Sequence, residues 1–181
     1  MKIHILGSSG SGTTSLAISL SRYFNCKHFD SDNYYWKKTK IPFTEKNTIE
    51  KRHDLLLSDM KGLSSWVLSG SMDSWSDPFE PLFDAVIFLE ASNEIREKRL
   101  KERELEKFGS RILLNGDMHD EHEFFIKWAG QYEDGSLGGR SRKRHEAWLR
   151  KIKCPIIRAT NESTFDNLVQ KTLFEIKKIP I

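Results

Sequence analysis

Apolar residues are spaced along this chain in two rhythms. Short apolar runs bounded by Gly, Ser, Asp or Pro read as strands, and apolar residues three and four apart read as helices. The strands are Lys2 to Leu6, Lys27 to Asp30, Trp66 to Gly70, Asp84 to Leu89 and Pro155 to Ala159. The fourth is a continuous apolar run, as suits a strand buried on both faces of a parallel sheet. Between them lie helical stripes. Leu16, Leu20 and Phe24 form the first, and Ile49, His53, Leu56, Leu57 and Met60 the second, stopped by Gly62. Asn47 followed by Glu50 predicts a capping-box start for that second helix. A highly charged helix spans residues 93–107, and Phe124, Phe125, Trp128, Ala129 and Tyr132 mark another. After the break at Gly135, Gly138 and Gly139, a helix carries Arg140, Arg142, Arg144, Ala147, Trp148 and Ile152; the last places Phe165, Leu168, Val169, Thr172, Leu173 and Ile176 on one face. Residues 37–46, 71–81 and 109–120 read as loops, the second of them a functional loop rich in Ser, Asp and Pro.

Strands that alternate with helices predict an α/β fold: a five-stranded parallel sheet, helices on both faces, right-handed crossovers. A length of 181 residues suits one such domain, 1–181. In such sheets ligands sit at the carboxyl ends of the strands. Three segments follow carboxyl ends and should converge on one cleft: residues 7–14, Asp30 with Asp32, and residues 71–77.

The first of these carries the most specific pattern. Gly7, Ser8, Ser9, Gly10, Ser11, Gly12, Thr13 and Thr14 follow G-x-x-x-x-G-K-[ST], the phosphate loop, except that Thr13 stands where the lysine belongs. Glycines let successive N–H groups curl toward an anion, and the helix that follows adds its positive end. Thr14 offers an oxygen to Mg²⁺. A cation at the β/γ-phosphates is missing, and loss of one such charge-stabilising donor costs on the order of 3–4 kcal/mol in a transition state. Either another cation supplies that charge, or the loop binds phosphate with little catalysis.

Charge and composition narrow the partners. A net charge of +3 gives no reason to expect general nucleic-acid binding. The two cysteines, Cys26 and Cys154, are far apart and lack metal-site spacing, which points to a reducing, cytoplasmic setting. No run is long enough to span a membrane, and the N-terminus enters a strand directly, so no signal peptide is expected.

Other residues supply candidate chemistry. Asp30 and Asp32 at a strand end can take a proton from a hydroxyl or hold Mg²⁺; turn formation by Asp and Ser is the alternative. Arg96, Arg99, Arg103 and Lys107 fall on one helix face, facing either an anionic ligand or the helix's own glutamates. Tyr34, Tyr35, Trp36 and Trp75 offer surfaces for a base, or packing between lid and core.

These motifs together resemble the P-loop small-molecule kinases of the adenylate kinase and shikimate/gluconate kinase group. The similarity runs over nearly the whole chain: the loop, Asp30-Ser31-Asp32, Ser69-Gly70-Ser71, the arginine helix, a lid and the last strand-loop-helix. It is greatest to a bacterial subgroup, adenylate kinase-like, whose loop carries Gly-Thr in place of Gly-Lys. The resemblance implies a three-layer P-loop NTPase fold with a helical lid at about 108–140. It implies ATP and Mg²⁺ as ligands: residues 7–14 at the phosphates, Thr14 and Asp30 at the metal, and the loop from Arg158 to Asn161 against the adenine. Arg99 and Arg103 would border the lid, with Arg140, Arg142 or Arg144 reaching in from its side. Ser69 stands where nucleotide kinases often carry Asp, leaving Asp30, Asp32 or Asp73 for the metal shell. Arg99, Arg103 and Arg142, in that order, are the expected substitutes for the lysine, and Asp30 and Asp32 the residues that orient the acceptor. The activity implied is transfer of the γ-phosphoryl to a nucleoside monophosphate or small hydroxyl compound. The alternative is a weakly catalytic nucleotide-binding protein or slow NTPase.

Overall fold

In the computed structural model, residues 1–180 are described. The chain threads β1 (Lys2–Gly7), α1 (Thr13–Tyr23), β2 (Lys27–Asp30), α2 (Asp32–Tyr35), α3 (Ile49–Met60), β3 (Trp66–Ser69), β4 (Ala85–Glu90), α4 (Asn93–Phe108), α5 (His119–Gly130), α6 (Arg142–Leu149), β5 (Ile156–Thr160) and α7 (Phe165–Ile176). All strands are parallel, in the order β2-β3-β1-β4-β5. The expected α/β P-loop NTPase fold is therefore present.

Side-chain alternation divides the core between two faces. Ile3, Ile5, Val67, Ile87 and Leu89 pack with Leu16 and Leu20 of α1 and Leu168, Leu173 and Ile176 of α7. Leu6, Leu68, Val86 and Phe88 point the other way, onto Leu56 and Met60 of α3, the segment after β3, and Trp148 and Leu149 of α6. Covering both faces makes β4 apolar from Ala85 to Leu89, all of them buried.

Several local expectations change. Thr48, not Asn47, caps α3: its side chain accepts from the Lys51 N–H, while the Asn47 amide donates to the carbonyls of Tyr34 and Trp36. Residues 71–81 form a loop whose apolar side chains fill the core. Met72, Trp75 and Phe79 are fully buried, because their apolar side chains recur on one side of the segment. Asp73 is taken up by Arg144 at 2.6 Å and by the Ser71 hydroxyl at 2.8 Å, so it is not free for a metal. Tyr34 and Trp75 are likewise buried, not open to a base, and the Tyr34 hydroxyl donates to Asp59.

Arg96 leaves the row of cations on α4. It is 1% exposed and donates to the carbonyls of Ala91 and Ala129 and to the Asn93 side chain. It thus anchors the end of α5 to α4. Arg140 precedes α6 instead of riding on it, since Ser141 is the cap and accepts from the Arg144 N–H. Left-handed Gly135, Gly138 and Gly139 bend the chain back to that cap.

Candidate active site

The loop between β1 and α1 is held from behind. A Cβ on Gly7 would lie 2.3 Å from the Leu89 carbonyl oxygen, so only glycine lets the loop rise so close to β4. Gly12 takes φ 98° and serves as the N-cap of α1 with no side-chain cap. With no side-chain cap, the first-turn N–H groups of α1 suit an anion held in the loop. Asn161, 4% exposed, donates from Nδ2 to the Ser11 carbonyl at 2.7 Å. Arg99 stands behind Asn161, its Nη2 3.4 Å from both the carbonyl and the side-chain oxygen. The glycine cradle and the uncapped helix end suit a phosphate group.

At the loop's far end the Asp30 carboxylate meets it. The Thr14 hydroxyl donates to Asp30 Oδ2 at 3.1 Å, and the Asp32 N–H donates to Asp30 Oδ1 at 3.0 Å. β2 therefore delivers Asp30 to the start of α1, although β3 separates β2 from β1 in the sheet. Thr14 and Asp30 present adjacent oxygens, as suits Mg²⁺, which takes one or two protein ligands and completes its shell with phosphate and water. Ser69 makes no such offer: it is fully buried and bonds His28 Nε2 at 2.9 Å.

Asp32, at the start of α2, is exposed to solvent. Partial desolvation by the surrounding chain pushes its carboxyl above the ordinary Asp range. The charge of Asp30 acts in the same direction, while Arg140, Arg103 and Lys107 act against it. A carboxylate whose proton affinity is raised is suited to accept a proton from a hydroxyl.

The remaining arginines part company with expectation. Arg142 pairs with Glu90 and, at 3.2 Å, with Glu133. Two carboxylates thus offset the charge of Arg142, the third of the expected substitutes for the loop lysine. Arg158 is held by both oxygens of Glu146, at 2.8 and 2.7 Å, and lies over the Phe88 ring. Arg103 pairs with Glu104 at 2.8 Å and projects its field onto Asp32. The guanidinium that does reach the loop is Arg140, whose Nη1 donates to the Ser9 hydroxyl at 3.2 Å. From the sequence, Arg140 stands beside Arg142 and Arg144 at the lid side, with Arg142 preferred; the cap at Ser141 is what separates Arg140 from its neighbours.

The root of this segment is fixed by a relay. Tyr132 donates its hydroxyl to His145 Nδ1 at 2.8 Å, His145 Nε2 donates to Ser71 Oγ at 2.8 Å, and Ser71 donates to Asp73. The single Ser71 proton goes to Asp73, which sets the direction of the other two bonds. Arg142 N–H closes the turn on the Tyr132 carbonyl at 2.9 Å.

A parallel sheet in this order, with a glycine loop leading into α1 and carboxylates at the next strand end, defines a P-loop NTPase of kinase-like architecture. More particularly, the chain belongs to the AAA domain family, whose sequence profile matches residues 3–122. It is 36% identical over 171 residues to the uncharacterized protein YqaC of Bacillus subtilis (strain 168), covering 94% of each chain. Among solved structures it is similar to shikimate kinase from Bacteroides thetaiotaomicron, with 17% identity, TM-score 0.56 and 98% of both chains covered. It is also similar to deoxyadenosine kinase from M. mycoides with bound dATP, with 14% identity, TM-score 0.60, and 98% and 100% covered. These two likenesses concern the fold. Among the described residues, no helix is long and apolar enough to cross a membrane.

Proposed function

We propose that the protein transfers the γ-phosphoryl group of ATP to the hydroxyl of a small acceptor. The observation that carries this is the continuous line from the uncapped end of α1 through Thr14 and Asp30 to Asp32. Residues 7–14 would hold the phosphates, with Thr14 and Asp30 at Mg²⁺. The metal, when bound, neutralises charge on the phosphates. Arg99 and Asn161 border the back of the loop, and the chain from Arg158 to Asn161 would lie against the adenine.

Asp32 would orient the acceptor hydroxyl and take its proton. The acceptor oxygen forms a bond to the γ-phosphorus, the bond to the β,γ-bridging oxygen breaks, and its electron pair leaves with ADP. Transfer of this kind depends mostly on positioning and charge neutralisation. Arg103 and Lys107 add positive charge at the acceptor side of Asp32, and the segment 108–140 would exclude water as a lid. The acceptor is a nucleoside monophosphate or a small hydroxyl compound. Shikimate and deoxyadenosine, named by the neighbours above, join the compounds to screen. Free Cys26 and Cys154 suit a cytoplasmic setting.

Thr13 supports a second reading, a nucleotide-binding protein or slow NTPase, because it contributes no cation. Thermal shift separates the steps. ATP with Mg²⁺ at about a hundred times its dissociation constant should add ~2.7 kcal/mol of stability. GTP, ATP without Mg²⁺ and sulfate are the controls. A Mg²⁺-dependent ATP shift, followed by acceptor-dependent ADP release, supports the kinase. ADP release indifferent to every acceptor supports the second reading. Stabilisation by sulfate alone overturns both.

A further inference from the structure

We infer that Arg140 supplies, from the glycine-rich segment beside α6, the positive charge that a lysine supplies inside an ordinary phosphate loop. This deepens the phosphotransferase reading and rests on it.

Three observations converge. First, Arg140 touches the loop directly, its Nη1 bonding the Ser9 hydroxyl across 131 residues of sequence. Second, its charge has no carboxylate partner among the described residues. The neighbouring guanidiniums are matched: Arg142 by Glu90 and Glu133, Arg144 by Asp73, Arg158 by Glu146 and Arg103 by Glu104. Arg99 also lacks a carboxylate, but its Nη2 is turned toward Asn161 behind the loop. Third, the charge of Arg140 is felt at Asp32 as well, where it acts with Arg103 and Lys107 to oppose the raised proton affinity of the carboxyl.

The placement is built by the chain around it. Trp128 donates its indole N–H to the Gly138 carbonyl at 3.1 Å, and the Arg140 guanidinium lies 5.8 Å from the centre of that ring. Ser141 begins α6 immediately afterwards, which anchors the residue from its other side. Gly138 and Gly139, at φ 71° and 70°, turn the chain between these supports. A lysine at position 13 would ride on α1 and be present in every state of the site. Arg140 rides on a different segment, so the charge arrives only when that segment lies against the loop. A triphosphate in the loop should then hold residues 131–141 against it.

The test measures binding as well as turnover. Dissociation constants for MgATP, MgADP and AMP are determined by calorimetry on the intact protein. Arg140→Met should weaken MgATP about a hundredfold, within the range for a charged hydrogen bond, and AMP less than threefold. Arg140→Lys should stay within about tenfold of the wild type, since the charge survives but the fork does not. Thr13→Lys added to Arg140→Met should recover most of the lost affinity, because the charge returns from the loop itself. Arg22→Met removes an exposed arginine in the last turn of α1, away from the loop, and should leave every constant unchanged. MgATP should also protect residues 131–141 from proteolysis in the wild type and not in Arg140→Met. If the wild type binds MgATP and Arg140→Met binds it equally, the inference fails while the phosphotransferase reading stands. If the wild type binds no nucleotide, both fail. Should Arg140→Met not fold, Arg140→Gln takes its place, alone and with Thr13→Lys: unchanged MgATP affinity in Arg140→Gln, or no recovery from the added lysine, overturns the inference.

Discussion

Asn161→Ala gives the sharpest examination of how the loop is held. Its Nδ2 is the side-chain donor to the Ser11 carbonyl, at 2.7 Å, and the residue is 4% exposed. Truncation leaves that buried oxygen without this partner, which costs roughly 1–3 kcal/mol. Two Arg99 contacts are affected as well. The one to the side-chain oxygen is lost and the one to the carbonyl remains, both at 3.4 Å and therefore weak. A total of about 2 kcal/mol follows, and for a chain of this size about 2–4 °C per kcal/mol gives a fall of roughly 4–8 °C in Tm. The same tie keeps the loop curled before any phosphate arrives. If about 1.4 kcal/mol of it is preorganisation, MgATP should bind about tenfold more weakly. Differential scanning fluorimetry and calorimetric titration measure the two effects separately. An unchanged Tm would refute the claim that the bond carries weight. A lowered Tm with unchanged affinity would refute the claim that it preorganises the loop.

Asp32→Asn should abolish acceptor-dependent ADP release while raising Tm at neutral pH. The sign follows from the raised folded-state pKa: the folded protein binds more protons between the unfolded and folded values, so stability falls as pH rises through that window; a lowered Tm would contradict it. Thr14→Val should erase the Mg²⁺ dependence of ATP binding and cut affinity about tenfold, roughly 1.4 kcal/mol, as read by thermal shift with and without Mg²⁺; an unchanged Mg²⁺ response would remove Thr14 from the metal. Stability should also drop in acid. His4, fully buried, is pushed down to about 4 by burial, and His145 to about 3 by burial and the Arg140 charge. Depressed values favour the neutral rings, so stability is lost as pH falls from about 6.5 toward 4. His4 alone should account for about 2 kcal/mol between pH 7 and 5 in urea unfolding. The loss should shrink in His4→Phe.

Much of this protein is decided by the order of its residues. The two faces of the sheet follow from alternation such as Ile3 and Ile5 against Leu6, because successive strand side chains point to opposite faces. The phosphate loop is legible because its conformation requires glycine at Gly7 and Gly12, and a backbone requirement leaves a mark on the sequence. The pairing of Thr14 with Asp30 also follows, since parallel strands bring their carboxyl ends together. What residue order left open is the destination of charge. Arg96, Arg99, Arg103, Arg140, Arg142 and Arg158 are chemically alike, and a guanidinium on a long stem pairs with whatever carboxylate the fold brings within reach. Glu90 comes to Arg142 across 52 residues of sequence, and Asp73 comes to Arg144 from the segment after β3. Residues 71–81 follow the same logic: their Ser, Asp and Pro read as surface until packing buries Met72, Trp75 and Phe79. Tertiary structure alone chose which cations are neutralised and left Arg140 facing the loop, because ion pairing depends on distance in space, which the spacing of residues along the chain does not set.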